Sequence, residues 1–284
     1  IRFNKSDIIV ISGGPRCISN IFLLLKAKLI GSKTVWWGHY KSTKTKKIGL
    51  FIRLQLMRLN NYVLFYTEKE KDSFLSTYVN PSFTPFFLNN SIDTKTIKQF
   101  RISYDYNKRK NNLLFIGRLV NKSNLDLLIE SLKNLDGMTL HVIGDGPSFK
   151  DFKDLSIKLA VEKKIVFYGS ITSENKIADI ANKSSMFVYP GAVGLSLIHA
   201  MTYGLPSIIN TSIPNGPEGA YFENNSNGIA LQKSDSTSLA EIINKINEKD
   251  QLTFYSSNCI KLIDEKFSIE LMVKNFQKMI TTKT

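Results

Sequence analysis

The stretch NNLLFIGRLVNKSNLDLLIESLKNL, residues 111–135, opens on an apolar run from Leu113 to Ile116 that Gly117 closes. A short apolar run ending in a turn residue reads as a buried strand. After the connection 117–124, Leu125, Leu128, Ile129 and Leu132 recur at the spacing of one helical face. The next strand-like run is MTLHVIG (138–144), and the pattern repeats through KIVFYG (164–169), MFVYP (186–190), PSIIN (206–210) and GIAL (228–231). Amphipathic stretches such as FKDFKDLSIKLAV (149–161) lie between them. Strand and helix in alternation specify an α/β domain with a parallel, doubly wound sheet, which binds ligands at the carboxyl ends of its strands.

Towards the N-terminus the same pattern is thinner: DIIVIS (7–12), KTVWW (33–37), YVLFYT (62–67) and TPFFL (84–88). These four strands are fewer than the about six of a full dinucleotide-type domain, and the chain starts at Ile1, without an initiator Met, already entering a strand. The expectation is therefore two Rossmann-like domains, the first of them incomplete. The polar, turn-rich RISYDYNKRKNN (101–112) is the natural linker. This gives a first domain over 1–105, a second over 106–250, and C-terminal helices over 251–284 that are expected to pack back towards the first domain.

Bulk composition agrees with two cores: 284 residues, 43% hydrophobic and 11% aromatic. No run of about 18 apolar residues and no secretory signal is present, which points to a cytoplasmic protein. Cys17 and Cys259 have no metal-ligand or redox spacing. The net charge of +14 lies wholly in residues 1–110, where 20 Lys/Arg face 6 Asp/Glu, while residues 111–284 hold 18 of each. Such a basic half suits an anionic partner, nucleic acid or membrane surface, or else is a solvated basic face. Balanced charge in the second half and the lack of stacking aromatics argue against nucleic acid.

The candidate chemistry sits at strand ends. Arg118 and Lys122 follow the strand that closes at Gly117, where two fixed cations suit a pyrophosphate. In YPGAVGLSLIHAMTYGLPSII (189–209), Gly191 and Gly194 let backbone approach a ligand, and Leu195 begins a helix whose free N–H groups suit a diphosphate. His199 falls about one turn into that helix, within reach of a ribose or phosphate, although a helical His is also commonly a packed residue. NGPEGAYF (215–222) places Glu218 in a loop, either as an acceptor for sugar or ribose hydroxyls or as an exposed loop acid. VWWGHYKS (35–42) puts His39 directly after a strand. GDGPSF (144–149) is explained by a tight turn into a helix with Pro in its first turn. No Asp-x-Asp pair, Ser/His/Asp order or His-x-x-x-His occurs, so no metal site is expected. In KSTKTKKIGLFIRLQLMRLNN (41–61), helical length competes with the alternation Leu50, Ile52, Leu54, Leu56, and Lys41, Lys44, Lys46 and Lys47 could meet anionic lipid while the apolar residues stay in the core.

Taken together, GRL with a following Lys, VIGDGP, VFYG, FVYPG..GLS...AM.YGLP and the GPE loop resemble the retaining GT-B enzymes of glycosyltransferase family 4, with weaker counterparts in WWGH, VLFYTEKEK and NNSID. The resemblance implies a two-domain GT-B fold and transfer of a sugar from a nucleoside-diphosphate sugar, without a cofactor or metal, to a glycan or lipid-linked acceptor, as in bacterial cell-surface polysaccharide or glycolipid assembly. It implies that Gly117, Arg118 and Lys122 hold the donor diphosphate and that Gly191, Val193, Gly194, Leu195 and Ser196 cap it. His199 and Glu218 would contact the rest of the donor, and His39 would lie beside the transferred sugar as the catalytic residue. Peripheral contact with the inner face of an anionic membrane fits such an acceptor. Two departures stand out. Many relatives carry two glutamates separated by seven residues where this chain has Gly191 and His199, and Ser123 stands where a Lys is common, leaving Lys122 to substitute. A sugar-nucleotide epimerase of the same fold is the other enzyme class to weigh, and a non-catalytic basic binding module is a third reading.

Overall fold

The computed structural model describes residues 2–14, 17–40 and 46–282, so Lys41 and Lys44 lie outside the described residues. The chain divides into two compact units, Ile1–Asn90 with Glu270–Thr284, and Ser91–Ile269.

The first unit runs β1 (Ile8–Ser12), α1 (Ile18–Ile30), β2 (Lys33–Trp37), α2 (Lys47–Arg58), β3 (Tyr62–Phe65), α3 (Glu68–Thr77) and β4 (Thr84–Phe87). Its sheet is parallel in the order β1-β2-β3-β4. Because side chains alternate along a strand, Trp36, Val63 and Phe65 pack with Leu56, Met57 and Phe74 on one face. Val35, Tyr62 and Leu64 pack on the other. Thr67 caps α3 by accepting the Glu70 N–H at 3.1 Å, and Glu68 and Glu70 complement the helix start. Within the stretch 41–61 the chain forms the helix α2 over Lys47–Arg58, with a correction to the expected burial: Leu56 and Met57 face the core, but Ile48 and Phe51 are 76% and 61% exposed. α1 likewise leaves Ile18, Phe22, Leu25 and Leu29 exposed, one turn apart along a single stripe. Cys17 is exposed just ahead of α1, and hydrogen bonding to Ser19 holds its thiol below the usual range.

The second unit contains α4 (Thr94–Phe100), α5 (Tyr106–Arg109), β5 (Asn112–Ile116), α6 (Leu125–Ser131), β6 (Thr139–Ile143), α7 (Phe149–Lys158), β7 (Ile165–Phe167), α8 (Glu174–Ala181), β8 (Met186–Tyr189), α9 (Leu195–Thr202), β9 (Ser207–Asn210), β10 (Gly228–Leu231), α10 (Ser236–Ile246) and α11 (Lys249–Lys266). The parallel sheet has the order β10-β9-β8-β5-β6-β7. Its strands β8 and β9 are buried along their whole length, and β8 accordingly reads as an uninterrupted apolar run. α4 packs on α8 and α9, with α11 against α9, while α6 packs on α7 and α10. Cys259 of α11 is fully buried, its Sγ 3.4 Å from the carbonyls of Leu205 and Asn227.

The unit boundary falls at residues 90 and 91, about fifteen residues before the expected 105. The expected linker is built into the second unit instead. The Tyr104 hydroxyl donates to the Ser185 carbonyl at 2.8 Å, the Tyr106 hydroxyl to Asn247 at 3.0 Å, and Arg109 is fully buried over the Tyr104 ring. Burial lowers the Arg109 pKa to about 10, opposed by Tyr104. A basic, turn-rich sequence gives no sign that one of its arginines is a core residue. Of the C-terminal helices, α11 belongs to the second unit. The last helix, α12 (Ile269–Thr281), belongs to the first, where Met272, Phe276 and Met279 cover the Val35 face of the sheet.

Candidate functional site

In the second unit the chain turns outward in both directions from the β5–β8 pair, so strand order reverses there. Such a switch point opens a crevice at the carboxyl ends of the two strands. The connection after β5 carries Gly117, Arg118 and Lys122, and the connection after β8 carries Gly191, Val193 and Gly194 into α9. The two connections touch: the Ala192 N–H donates to the Lys122 carbonyl at 3.3 Å, and Asn124 Nδ2 donates to the Pro190 carbonyl at 3.4 Å.

Arg118 and Lys122 are exposed, and neither side chain has a hydrogen bond or ion pair among the described residues. Buried Leu119, whose N–H donates to the Asp145 carbonyl at 3.0 Å, anchors the loop between them. α9 starts without a side-chain cap at Gly194, so the first N–H groups, those of Leu195 and Ser196, remain for a ligand. The turn before it is fixed by the Val193 N–H on Asn215 Oδ1 at 2.9 Å and the Gly216 N–H on the Val193 carbonyl at 2.7 Å.

At Gly191 the two connections leave no room for a side chain. A Cβ built on this glycine would stand 2.4 Å from the Lys122 carbonyl oxygen and from the Ser123 carbonyl. Ser123 is fully buried beneath this contact, with its hydroxyl on the Val120 carbonyl at 2.7 Å. The backbone of one loop therefore fills the space that a side chain at 191 would need. Ser123 faces inward, and Lys122 beside it is exposed.

Glu218, for which the sequence offers either a hydroxyl-accepting role or an exposed loop acid, is 4% exposed in a short 3-10 turn at 217–221, so it is not an exposed acid. Its carboxylate lies against Gly194 and Gly216 at the foot of α9. It also raises the neighbouring Tyr221 hydroxyl, on which burial acts more strongly.

His199 takes part in a network the sequence did not reveal. Its Nε2 lies 2.9 Å from Glu174 Oε1, and the Tyr203 hydroxyl donates to the same oxygen. Burial raises the Glu174 pKa, but hydrogen bonds from His199 and Tyr203 outweigh it and leave the carboxyl below its usual value. Burial, and after it the bond to Glu174, pushes the Tyr203 hydroxyl up.

In the first unit, His39 follows β2 at the carboxyl edge of its sheet. Its Nδ1 is 2.8 Å from Glu70 Oε1, its carbonyl accepts Arg53 Nη1 at 3.0 Å, and its ring lies 4.6 Å from that of Tyr66. The imidazole is 36% exposed. Glu70 Oε2 and Arg53 Nε are buried without a hydrogen-bond partner among the described residues. Burial lowers the Arg53 pKa against the opposing charge of Glu70. Glu70 was visible in the sequence only as a first-turn acid of TEKEK, a place where acids are ordinary.

Residues 96–258 match the family model described as "Glycosyl transferases group 1". An uncharacterised glycosyltransferase of Methanocaldococcus jannaschii is 24% identical over 204 residues, 68% of this chain and 56% of its own length. The phosphatidylinositol N-acetylglucosaminyltransferase GPI3 subunit of Saccharomyces cerevisiae is 22% identical over 211 residues, 69% of this chain and 46% of its own. The chain thus spans about half the length of these relatives. Among solved structures, Anabaena HepE in complex with UDP superimposes with a TM-score of 0.77 at 16% identity, covering 97% of this chain and 78% of HepE.

Proposed function

The chain belongs to the group 1 glycosyl transferases, and from that premise we propose that its second unit holds a nucleoside-diphosphate sugar whose sugar passes to an acceptor hydroxyl. The carrying observation is the pair Arg118 and Lys122, unpartnered among the described residues, set with the uncapped start of α9 around the β5–β8 crevice. Positive charge fixed before the reaction stabilises the diphosphate as it leaves. The bond from the anomeric carbon to the phosphate oxygen breaks, the bond to the acceptor oxygen forms with retention, and the acceptor proton goes to the departing diphosphate. Because the protein itself supplies the positive charge, the reading assigns no metal. An epimerase needs carboxylates around the sugar, and loop backbone occupies the space at Gly191 where one would stand.

A thermal-shift and calorimetry screen of UDP, GDP and ADP tests this reading, with UDP first because HepE holds it. One diphosphate should bind well above its nucleoside, and if none binds the donor site is lost. His39, oriented by Glu70, is assigned to the transfer step. His39→Ala is expected to lower kcat about tenfold to a hundredfold with donor affinity nearly unchanged. Unaltered turnover confines it to packing.

The acceptor is proposed to be lipid-linked or a glycan at the inner face of a membrane. Among the described residues no helix is long and apolar enough to cross one. Exposed Phe51 and Ile48 beside Lys46 and Lys47 form an apolar face flanked by cations, each cation adding about 1 kcal/mol near anionic lipid. Sedimentation with phosphatidylserine vesicles at low salt should be lost when Lys41, Lys44, Lys46 and Lys47 become Gln. If the wild-type protein stays in the supernatant, a soluble acceptor replaces this one.

A further inference from the structure

We propose that Glu174 is the carboxylate that reads the ribose of the donor, held in place by His199 and Tyr203, so that a carboxylate from α8 supplies what α9 lacks. The inference rests on the donor reading above. α8 begins where the chain returns from the carboxyl end of β7, and Glu174 is its first residue. It therefore stands on the same sheet edge as Arg118, Lys122 and the start of α9.

Both hydrogen bonds to Glu174 converge on Oε1. Oε2 has no hydrogen bond among the described residues and is not one of the buried polar atoms without a partner, so it opens to solvent. The three side chains form a ladder from core to rim: Tyr203 is fully buried, His199 is 15% exposed and Glu174 20%. Two donors on one oxygen fix the carboxylate and leave its other oxygen free to accept. The carboxyl stays charged at neutral pH because those bonds outweigh its burial.

An ionised carboxylate only accepts hydrogen bonds. At a site for a nucleoside diphosphate it is repelled by the phosphates and matched by the ribose hydroxyls, which donate. Tyr203 and His199 do not touch the ribose on this view. They are positioning residues, and the contact belongs to Glu174.

The test uses calorimetry on the full chain with UDP, GDP and ADP, and then with the 2′-deoxy and 3′-deoxy forms of whichever binds. Wild type is expected to prefer the ribonucleotide over at least one deoxy form by about tenfold to a hundredfold, the usual worth of a hydrogen bond to a charged group. Glu174→Gln should lower ribonucleotide affinity to the deoxy level and leave deoxy binding unchanged. Tyr203→Phe, which keeps the buried ring, should reduce the preference in the same direction with the melting profile of a folded protein. A wild type indifferent to the sugar hydroxyls, or a folded Glu174→Gln variant that keeps the full preference, overturns the assignment while the diphosphate site stands. If none of the three diphosphates binds, the donor reading and this inference both fall.

Discussion

Arg118→Ala is expected to weaken binding of the nucleoside diphosphate about a hundredfold and binding of the bare nucleoside hardly at all. A guanidinium presents planar, charge-assisted donors that engage phosphate oxygens in pairs, and such bonds are worth about 1.5 to 3 kcal/mol each. A loss of about 2.7 kcal/mol corresponds to the hundredfold. Turnover should fall further than affinity, because charge grows on the diphosphate as the glycosidic bond breaks. Folding should be untouched, since the side chain is exposed and has no partner among the described residues. Lys122→Ala should follow in kind with a smaller loss, an ammonium being more strongly hydrated and less directional than the guanidinium. Calorimetry decides. Equal losses for nucleoside and nucleoside diphosphate would remove Arg118 from the phosphate site.

Gly191→Glu, which restores the residue common at this place in the family resembled, is expected to cost stability and to abolish nucleotide binding. The cost arises at Cβ, before the carboxylate matters. Cβ would meet the Lys122 and Ser123 carbonyls at 2.4 Å, and these are backbone atoms that cannot rotate away. Overpacking a closed site costs about 1 to 3 kcal/mol when side chains can adjust, and backbone contact should reach the upper end. For a unit of this size about 3 kcal/mol lowers Tm by about 6 to 12 °C. Gly191→Ala should show most of the same shift. Since the displaced loop carries Arg118 and Lys122, donor binding is lost with it. Should Gly191→Glu melt with wild type and still bind nucleotide, the two loops are not packed as described.

The strands were legible because a parallel sheet covered on both faces must be apolar along whole segments, and Met186–Tyr189 is buried throughout. Gly191 reads in the sequence as room for a ligand, whereas in the structure its missing side chain makes room for the backbone of the loop that carries Lys122 and Ser123. The partners of the two histidines were not legible. Glu70 and Glu174 each lie in the first turn of a helix, where an acid is expected on electrostatic grounds alone, and only tertiary packing brings His39 to one and His199 to the other. Arg109 falls in a stretch that reads as a polar linker because nothing local to it shows the Tyr104 ring on which it lies. The exposed apolar residues of α1 and α2 were equally invisible, since periodicity marks a stripe and not whether it is covered.

The two thiols turn this chain into its own clock. Cys17 lies in the open with its ionisation eased by Ser19, whereas Cys259 is sealed between α11 and the carbonyls of Leu205 and Asn227. A thiol reagent added to the native protein therefore marks Cys17 at once and reaches Cys259 only when the second unit opens. The ratio of the two alkylation rates reports the population of that opened state. A bound nucleotide that tightens the second unit would be read as a slower second label, without any assay of sugar transfer.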